Sequence, residues 1–336
     1  MTKRSVLLIA LGGTISMQGN AGSGITPKLS GEDLIRAVPG LDQVCAIEAT
    51  SPFRIPGASL TIAQIAEVAR LIEDGAAKGF DGFVIVQGTD TIEETAFLLD
   101  CLVRTDRPVV VTGAMRGPDA AGADGPANIL AAATYAASEA GLGLGAVVVF
   151  ADEIHCARLV RKTDTGLTNA FTSAPYGSIG RVSEGNVHLP LKPARGRFAL
   201  PAPEAELPEV ALVAIGFGDE GRMVDAVAEM DVSAAVIVGL GAGHVPEPLS
   251  DKISKLLTKM PVVLATRVAN GPVFENTYGF TGSEIDLIGK GVIPSRDLGP
   301  GKSRLLLQLA LAAGLSPQQL GDLFAGVDGS GYSHQN

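Results

Sequence analysis

Four short runs rich in Val and Ile recur through the first half of the chain: Val6–Ala10, Phe83–Val86, Val109–Thr112 and Ala146–Phe150. Each is a continuous apolar run rather than an alternating one, with only Thr112 polar at an end, so a strand built from it needs both faces covered. Helical patterns lie between them. Thr61 with Gln64 three residues on makes a capping box, and Ile62, Ile65, Val68, Ala69 and Ile72 follow at helical spacing. Thr91–Val103 places Ile92, Ala96, Leu99 and Val103 on one face, and Asn128–Ala140 is an Ala-rich third helix. Strand and helix in alternation imply βαβ units around a parallel sheet.

Residues 191–209 break the pattern with Pro193, Pro201, Pro203 and Pro208, several charges and little periodicity, which reads as a linker. Alternation then resumes. Val210–Ile215, Ala234–Gly239 and Val262–Thr266 read as strands, Ser250–Thr258 and Ser303–Ala313 as helices. Ser316-Pro317 starts a last helix, with Ser as N-cap and Pro at the first helical position. The expected architecture is α/β: two α/β domains with mainly parallel sheets, a larger one at 1–190 and a smaller one at 210–336, joined by 191–209.

Composition excludes several classes of function. The 336 residues are 46% hydrophobic with a net charge of −10. That apolar content argues against disorder, and an acidic chain without a basic cluster argues against nucleic acid as a partner. The four His are scattered and no C-x-x-C or H-x-x-x-H pair occurs, so no metal is expected. After Lys3 and Arg4 the apolar run Val6–Leu11 is too short for a signal peptide or a membrane span, so no membrane association and a cytoplasmic location are expected.

In open parallel sheets ligands bind beyond the carboxyl ends of the strands, which directs attention to the residues after each apolar run. Gly12-Gly13-Thr14 follows the first, and two glycines let backbone and ligand approach closely; by itself it is also an ordinary strand-to-loop turn. Gln87-Gly88-Thr89-Asp90-Thr91 follows the second and opens a helix, where free N–H groups and a partial positive charge favour an oxyanion or carboxylate. An ordinary N-cap would look the same. Lys162 lies past the fourth run, and a lysine at such an edge assists a hydroxyl nucleophile when burial disfavours its charge. Beside Arg161 it also reads as a solvated surface charge. Gly239–His244 invites a dinucleotide reading, but a third Gly at the required spacing is missing, and Pro246 and Pro248 stand where the helix would start.

The ordered set is far more specific than its parts. Gly12-Gly13-Thr14-Ile15, Gly88-Thr89-Asp90-Thr91, Gly113-Ala114-Met115-Arg116 with Ala123-Asp124-Gly125-Pro126, Lys162-Thr163-Asp164-Thr165, Tyr176-Gly177 and Tyr278-Gly279-Phe280 occur in the order found in the bacterial L-asparaginases and glutaminase-asparaginases, and the chain resembles that family over nearly its whole length. The resemblance implies hydrolysis of L-asparagine to L-aspartate and ammonia. Thr14 is the implied nucleophile, and Thr89, Asp90 and Lys162 handle the proton. Asp90 also pairs with the substrate's α-ammonium, Ala114 presents its carbonyl to the leaving amine, and no cofactor is needed. It further implies a homotetramer, a dimer of dimers, in which a neighbouring subunit completes each site.

Three positions depart from the family pattern. No Tyr lies between Ile15 and Thr50; Ile25-Thr26 stands at the matching place, in a stretch whose glycines at 19, 22 and 24 suit a lid. The family's Ser-Gln pair aligns on Gly57-Ala58, with Ser59 beside it, leaving backbone N–H groups to hold a carboxylate. His244 replaces the Asn that the neighbouring subunit contributes, and Glu275 is the expected partner carboxylate. These positions grip the amino-acid head of the substrate. The alternatives are therefore an amidohydrolase acting on glutamine or another small amide and, from a different class, a small-amide binding protein without catalysis. The latter has no need of a nucleophile with its proton-handling set.

Cys45, Cys101 and Cys156 are an odd, sparse set, which reads as free thiols in a reducing compartment. Thiol titration of the protein unfolded without reductant is expected to find all three; a missing pair would show a disulfide.

Overall fold

The chain is described by a computed structural model over residues 3–13, 17–18, 26–27, 30–193, 198–204 and 206–326. It divides into two compact units, Met1–Pro193 and Ala194–Asn336.

In the first unit the continuous apolar runs become buried strands. β1 (Ser5–Ala10), β2 (Ala46–Thr50), β3 (Gly82–Val86), β4 (Val109–Thr112) and β5 (Ala146–Phe150) run parallel in the order β2-β1-β3-β4-β5. Every residue of β3, β4 and β5 is buried. β2 does not belong to the expected set: its sequence AIEAT carries no apolar run, because it is an edge strand with no buried residue. At the other edge the sheet is mixed rather than parallel. β6 (Glu153–Cys156) turns back on β5, and β9 (Gly180–Ser183) and β10 (Asn186–His188) continue antiparallel. Between them lies a separate two-residue ladder of β7 (Arg161–Lys162) with β8 (Phe171–Thr172), which pairs Lys162 with Phe171.

The crossover helices form where their signals stand. α1 (Ile62–Ala77) is capped by Thr61, whose hydroxyl accepts from Gln64 N–H while the Gln64 side chain accepts from Thr61 N–H at 2.9 Å. Its inward face is Ile65, Ala66, Val68, Ala69 and Ile72. α2 (Ile92–Leu102) is buried continuously from Thr95, packed between α1 and strands β4 and β5. α3 (Gly125–Ala136) packs on β3, β4 and β5 and begins three residues before the expected Asn128, with Pro126 in its first turn.

The second unit is a parallel sheet of β11 (Val210–Ala214), β12 (Ala234–Gly239), β13 (Val262–Thr266) and β14 (Ile293–Pro294), paired in chain order. Pro246 and Pro248 do not block a helix after β12. Pro246 is the N-cap of Glu247–Leu257 and Pro248 sits in its first turn, where a missing N–H costs no hydrogen bond. The last helix, Pro317–Ala325, starts at the Ser316 cap with Gln319 completing a capping box. Among the described residues no helix is long and apolar enough to cross a membrane. Cys45, Cys101 and Cys156 form no disulfide with one another.

On β6, His155 is 1% exposed and its Nδ1 lies 3.0 Å from Ser173 Oγ. The Glu153 carboxylate is 3.4 Å from Nε2, but that nitrogen makes no hydrogen bond. Burial therefore decides the titration and pushes the imidazole down from 6.5 to about 4. The folded form keeps His155 neutral while the unfolded chain takes up a proton as pH falls through 6.5. Its stabilising contribution is complete above pH 6.5, declines toward pH 4, and is lost below. Between pH 7 and 4, urea unfolding should show His155→Gln losing about 3 kcal/mol less stability than the wild-type chain. Parallel pH profiles would show that the ring is charged in the fold.

Candidate active site

The sheet order puts β1 between β2 and β3, so the chain leaves β1 toward one side and later strands build on the other. Loops at the carboxyl ends of β1 and β3 diverge at such a reversal and leave a crevice. Gly12-Gly13 and Gly88-Thr89 sit there. Leu11 N–H donates to Val86 O at 2.8 Å, and Ile55 N–H donates to Leu11 O at 3.1 Å, which ties the segments after β1, before the turn Gly57–Ser59 and after β3 together. The approach is closest between glycines. Gly13 has φ +95°, and a Cβ on it would lie 2.0 Å from Gly88 N. A Cβ on Gly57 would lie 2.8 Å from Gly88 O. Real Cβ atoms do not come so near to backbone, so these positions exclude any side chain. Thr14, the expected nucleophile, lies outside the described residues, as do residues 19–25 of the expected lid. Its neighbour Gly13 is held against Gly88.

After β3 the chain makes a tight turn, Thr89–Thr91, before α2. The buried Gln87 side chain donates to Gly88 O at 3.2 Å and Thr91 Oγ1 at 3.1 Å, and Thr91 Oγ1 donates to Gly57 O at 2.9 Å. Thr89 is buried, while the Asp90 side chain is 63% exposed. Lys162 reaches both: its Nζ donates to Thr89 Oγ1 at 2.9 Å and to Asp90 Oδ1 at 3.2 Å. Its side chain is 19% exposed, so it is not a solvated surface lysine. The backbone N–H of Lys162 donates to Glu93 Oε2 at 2.6 Å. Three of the four expected catalytic residues thus form one hydrogen-bonded group, although Lys162 lies 73 residues from Thr89 in sequence.

Of the expected head-group contacts in this unit, Gly57 is buried, and Ala58 and Ser59 are exposed. Ser59 N–H is already taken by Pro56 O at 2.9 Å. Ala114 is buried in the turn after β4. That turn has a dedicated support: Asp124 accepts from Met115 N–H and Arg116 N–H at 3.0 and 2.9 Å, and Asn128 donates to Gly113 O at 2.9 Å while accepting from Ala151 N–H at 3.0 Å. The pairing of Gly113–Arg116 with Ala123–Pro126 in the sequence is thus a turn and its brace.

In the second unit His244 ends the turn Leu240–His244 after β12. Its Nε2 lies 3.1 Å from Glu284 Oε2, and its ring packs edge-on against Tyr278 and Phe280. Glu284 is fully buried. Burial pushes its carboxyl up, but hydrogen bonds from Tyr278 N–H, Thr277 N–H and His244 outweigh this and hold it below the usual glutamate value. An ionised carboxylate only accepts, so His244 Nε2 is the donor in this contact. Glu275, the expected partner carboxylate, pairs with Arg296 at 3.3 Å. Sequence reasoning missed Glu93 and Glu284. Glu93 stood in view, three residues past Asp90, whereas Glu284 carries no local signal: its contacts come from a separate turn. Among the described residues no group of three or more His, Cys, Asp or Glu could hold a metal.

Comparison with known proteins agrees with this geometry. The chain is 36% identical to a probable L-asparaginase of Deinococcus radiodurans, over 94% of this chain and 96% of that one. It is 32% identical to the glutaminase-asparaginase of Acinetobacter glutaminasificans, over 96% and 99%. The crystal structure of a probable cytoplasmic L-asparaginase from Campylobacter jejuni superposes with a TM-score of 0.86 at 30% identity, over 96% of this chain and 99% of that one. Residues 5–195 match the family model "Asparaginase, N-terminal" and residues 209–324 match "Glutaminase/Asparaginase C-terminal domain". With both halves matched in order, the chain belongs to the asparaginase family.

Proposed function

We propose that this protein is an L-asparaginase, hydrolysing L-asparagine to L-aspartate and ammonia. The observation that carries the reading is the Lys162 Nζ shared between Thr89 and Asp90 at the carboxyl edge of β3, in a chain of this family. Thr14 Oγ attacks the side-chain amide carbon. The proton it loses passes through Thr89 and Lys162 to the departing nitrogen, which leaves as ammonia. Water then cleaves the acyl-Thr14 ester, regenerating the hydroxyl and releasing the carboxylate. N–H groups around Thr89 hold the oxyanion, each such donor being worth about 3–4 kcal/mol of barrier. Asp90, exposed at the crevice, pairs with the α-ammonium, and the turn at Gly57, Ala58 and Ser59 receives the α-carboxylate. Ala114 presents its carbonyl to the leaving amine.

Assembly completes the site in this reading. The protein is a cytoplasmic homotetramer, and His244, oriented by Glu284, reaches the substrate bound to another subunit. The turn Gly57–Ser59 has no long polar side chain, a feature that favours broader use of small amides such as glutamine as the second reading.

Ammonia release from a panel of asparagine, glutamine and simple amides tests the reaction. Thr14→Ala should abolish turnover, and Lys162→Met should lower kcat by at least roughly 100-fold, the low end for general acid–base catalysis. Near-normal ammonia release by either variant would refute the assigned role, and release from glutamine in preference to asparagine would favour the second reading. Mixing Thr14→Ala with His244→Trp, each inactive and folded alone, should restore part of the activity on subunit exchange. A monomer by light scattering, or exchange without recovery, would exclude the shared site.

A further inference from the structure

Lys162 is anchored at both ends, and one anchor has no part in the reaction as written above. Its amine meets Thr89 and Asp90, while its backbone N–H donates to Glu93 Oε2 at 2.6 Å. The strand carrying Lys162 is two residues long and, among the described residues, its ladder is with Phe171–Thr172, extended by Thr163 N–H donating to Ala170 O at 2.7 Å. So short a ladder leaves the lysine backbone weakly held from that side. Glu93 holds it from the other. It lies in the first turn of α2, directly after the turn Thr89–Thr91. One helix start therefore carries both groups that the amine touches and the carboxylate that seats its backbone.

We propose that Glu93 is a positioning residue for Lys162, setting the backbone from which Nζ reaches Thr89 and Asp90. The inference rests on the reading that Lys162 takes part in proton transfer. Its physical content is that one hydrogen bond, from a backbone N–H to a side-chain acceptor oxygen, fixes the register between two segments 69 residues apart. A carboxylate in a first helical turn also favours the helix dipole, but that role depends on charge alone and is not coupled to Lys162.

A double-mutant cycle on the full-length protein separates these roles. Glu93→Ala should lower kcat by about tenfold or more with KM changed less than about threefold, because the lost geometry matters in the transition state. Glu93→Gln keeps an acceptor oxygen and should stay within about threefold of the wild-type kcat, which a role through charge would not allow. Added to Lys162→Met, Glu93→Ala should cost less than about threefold more, since the two residues act as one unit. Wild-type kcat in Glu93→Ala, a Glu93→Gln variant as slow as Glu93→Ala, or full additivity with Lys162→Met would each overturn the inference while leaving the role of Lys162 standing. Wild-type kcat in Lys162→Met itself would overturn that role and this inference with it. Should Glu93→Ala not fold, Glu93→Asp replaces it. It keeps the charge but withdraws the acceptor by one methylene, and the same kcat loss and the same absence of additivity are expected.

Discussion

Backbone meets backbone between Gly13 and Gly88, with no space for even one methyl group between them. Gly57 closes on Gly88 from another side. This contact brings three loops from separate strands into one crevice, and it exists because β1 lies between β2 and β3 in the sheet. A Cβ at Gly13 would have to displace main chain, not a flexible side chain. Its φ of +95° adds a second reason for glycine, since that region strains any other residue. Gly13 is thereby held at the edge where Thr89 and Asp90 emerge.

The lysine group depends on that frame. An ion pair as exposed as Asp90 with Lys162 contributes only about 0–1 kcal/mol to stability. Holding a lysine in one rotamer costs side-chain entropy of up to about 2 kcal/mol. Stability therefore does not account for the arrangement, and its value lies in placing an amine 2.9 Å from a buried hydroxyl. The turn around Ala114 follows the same logic. Asp124 and Asn128 give their side-chain hydrogen bonds to main-chain groups of neighbouring loops, so the carbonyls and N–H groups at this edge are held by side chains behind them.

In the second unit the dominant constraint is a buried charge. Glu284 has no exposed surface, and an ionised carboxylate without partners there would cost several kcal/mol. Two backbone N–H groups and the His244 ring supply those partners. The ring is thereby fixed in orientation, which makes His244 a rigid element of the turn after β12.

Much was legible in the sequence by itself. Continuous apolar runs determined β1, β3, β4, β5, β12 and β13, because a strand buried on both faces is built almost wholly of apolar residues, with Thr112 and Thr266 as the buried exceptions at strand ends. Capping residues determined where the helices at Ile62 and Pro317 begin, because a cap acts within one turn of chain. The order of the Thr, Asp and Lys motifs indicated the family. Only the tertiary structure decided what those signals could not reach. Edge strand β2 and the antiparallel strands β6, β9 and β10 lack an apolar run, since one face or edge stays wet. Prolines 246 and 248 looked like an interruption and proved to be a helix start, because position within the first turn decides whether a missing N–H matters. His244 acquired Glu284, 40 residues away, as its neighbour, and Glu93 acquired a partner 69 residues away. A side chain's partner across so long a loop is set by how strands are ordered and helices packed, and no local spacing in the chain records that.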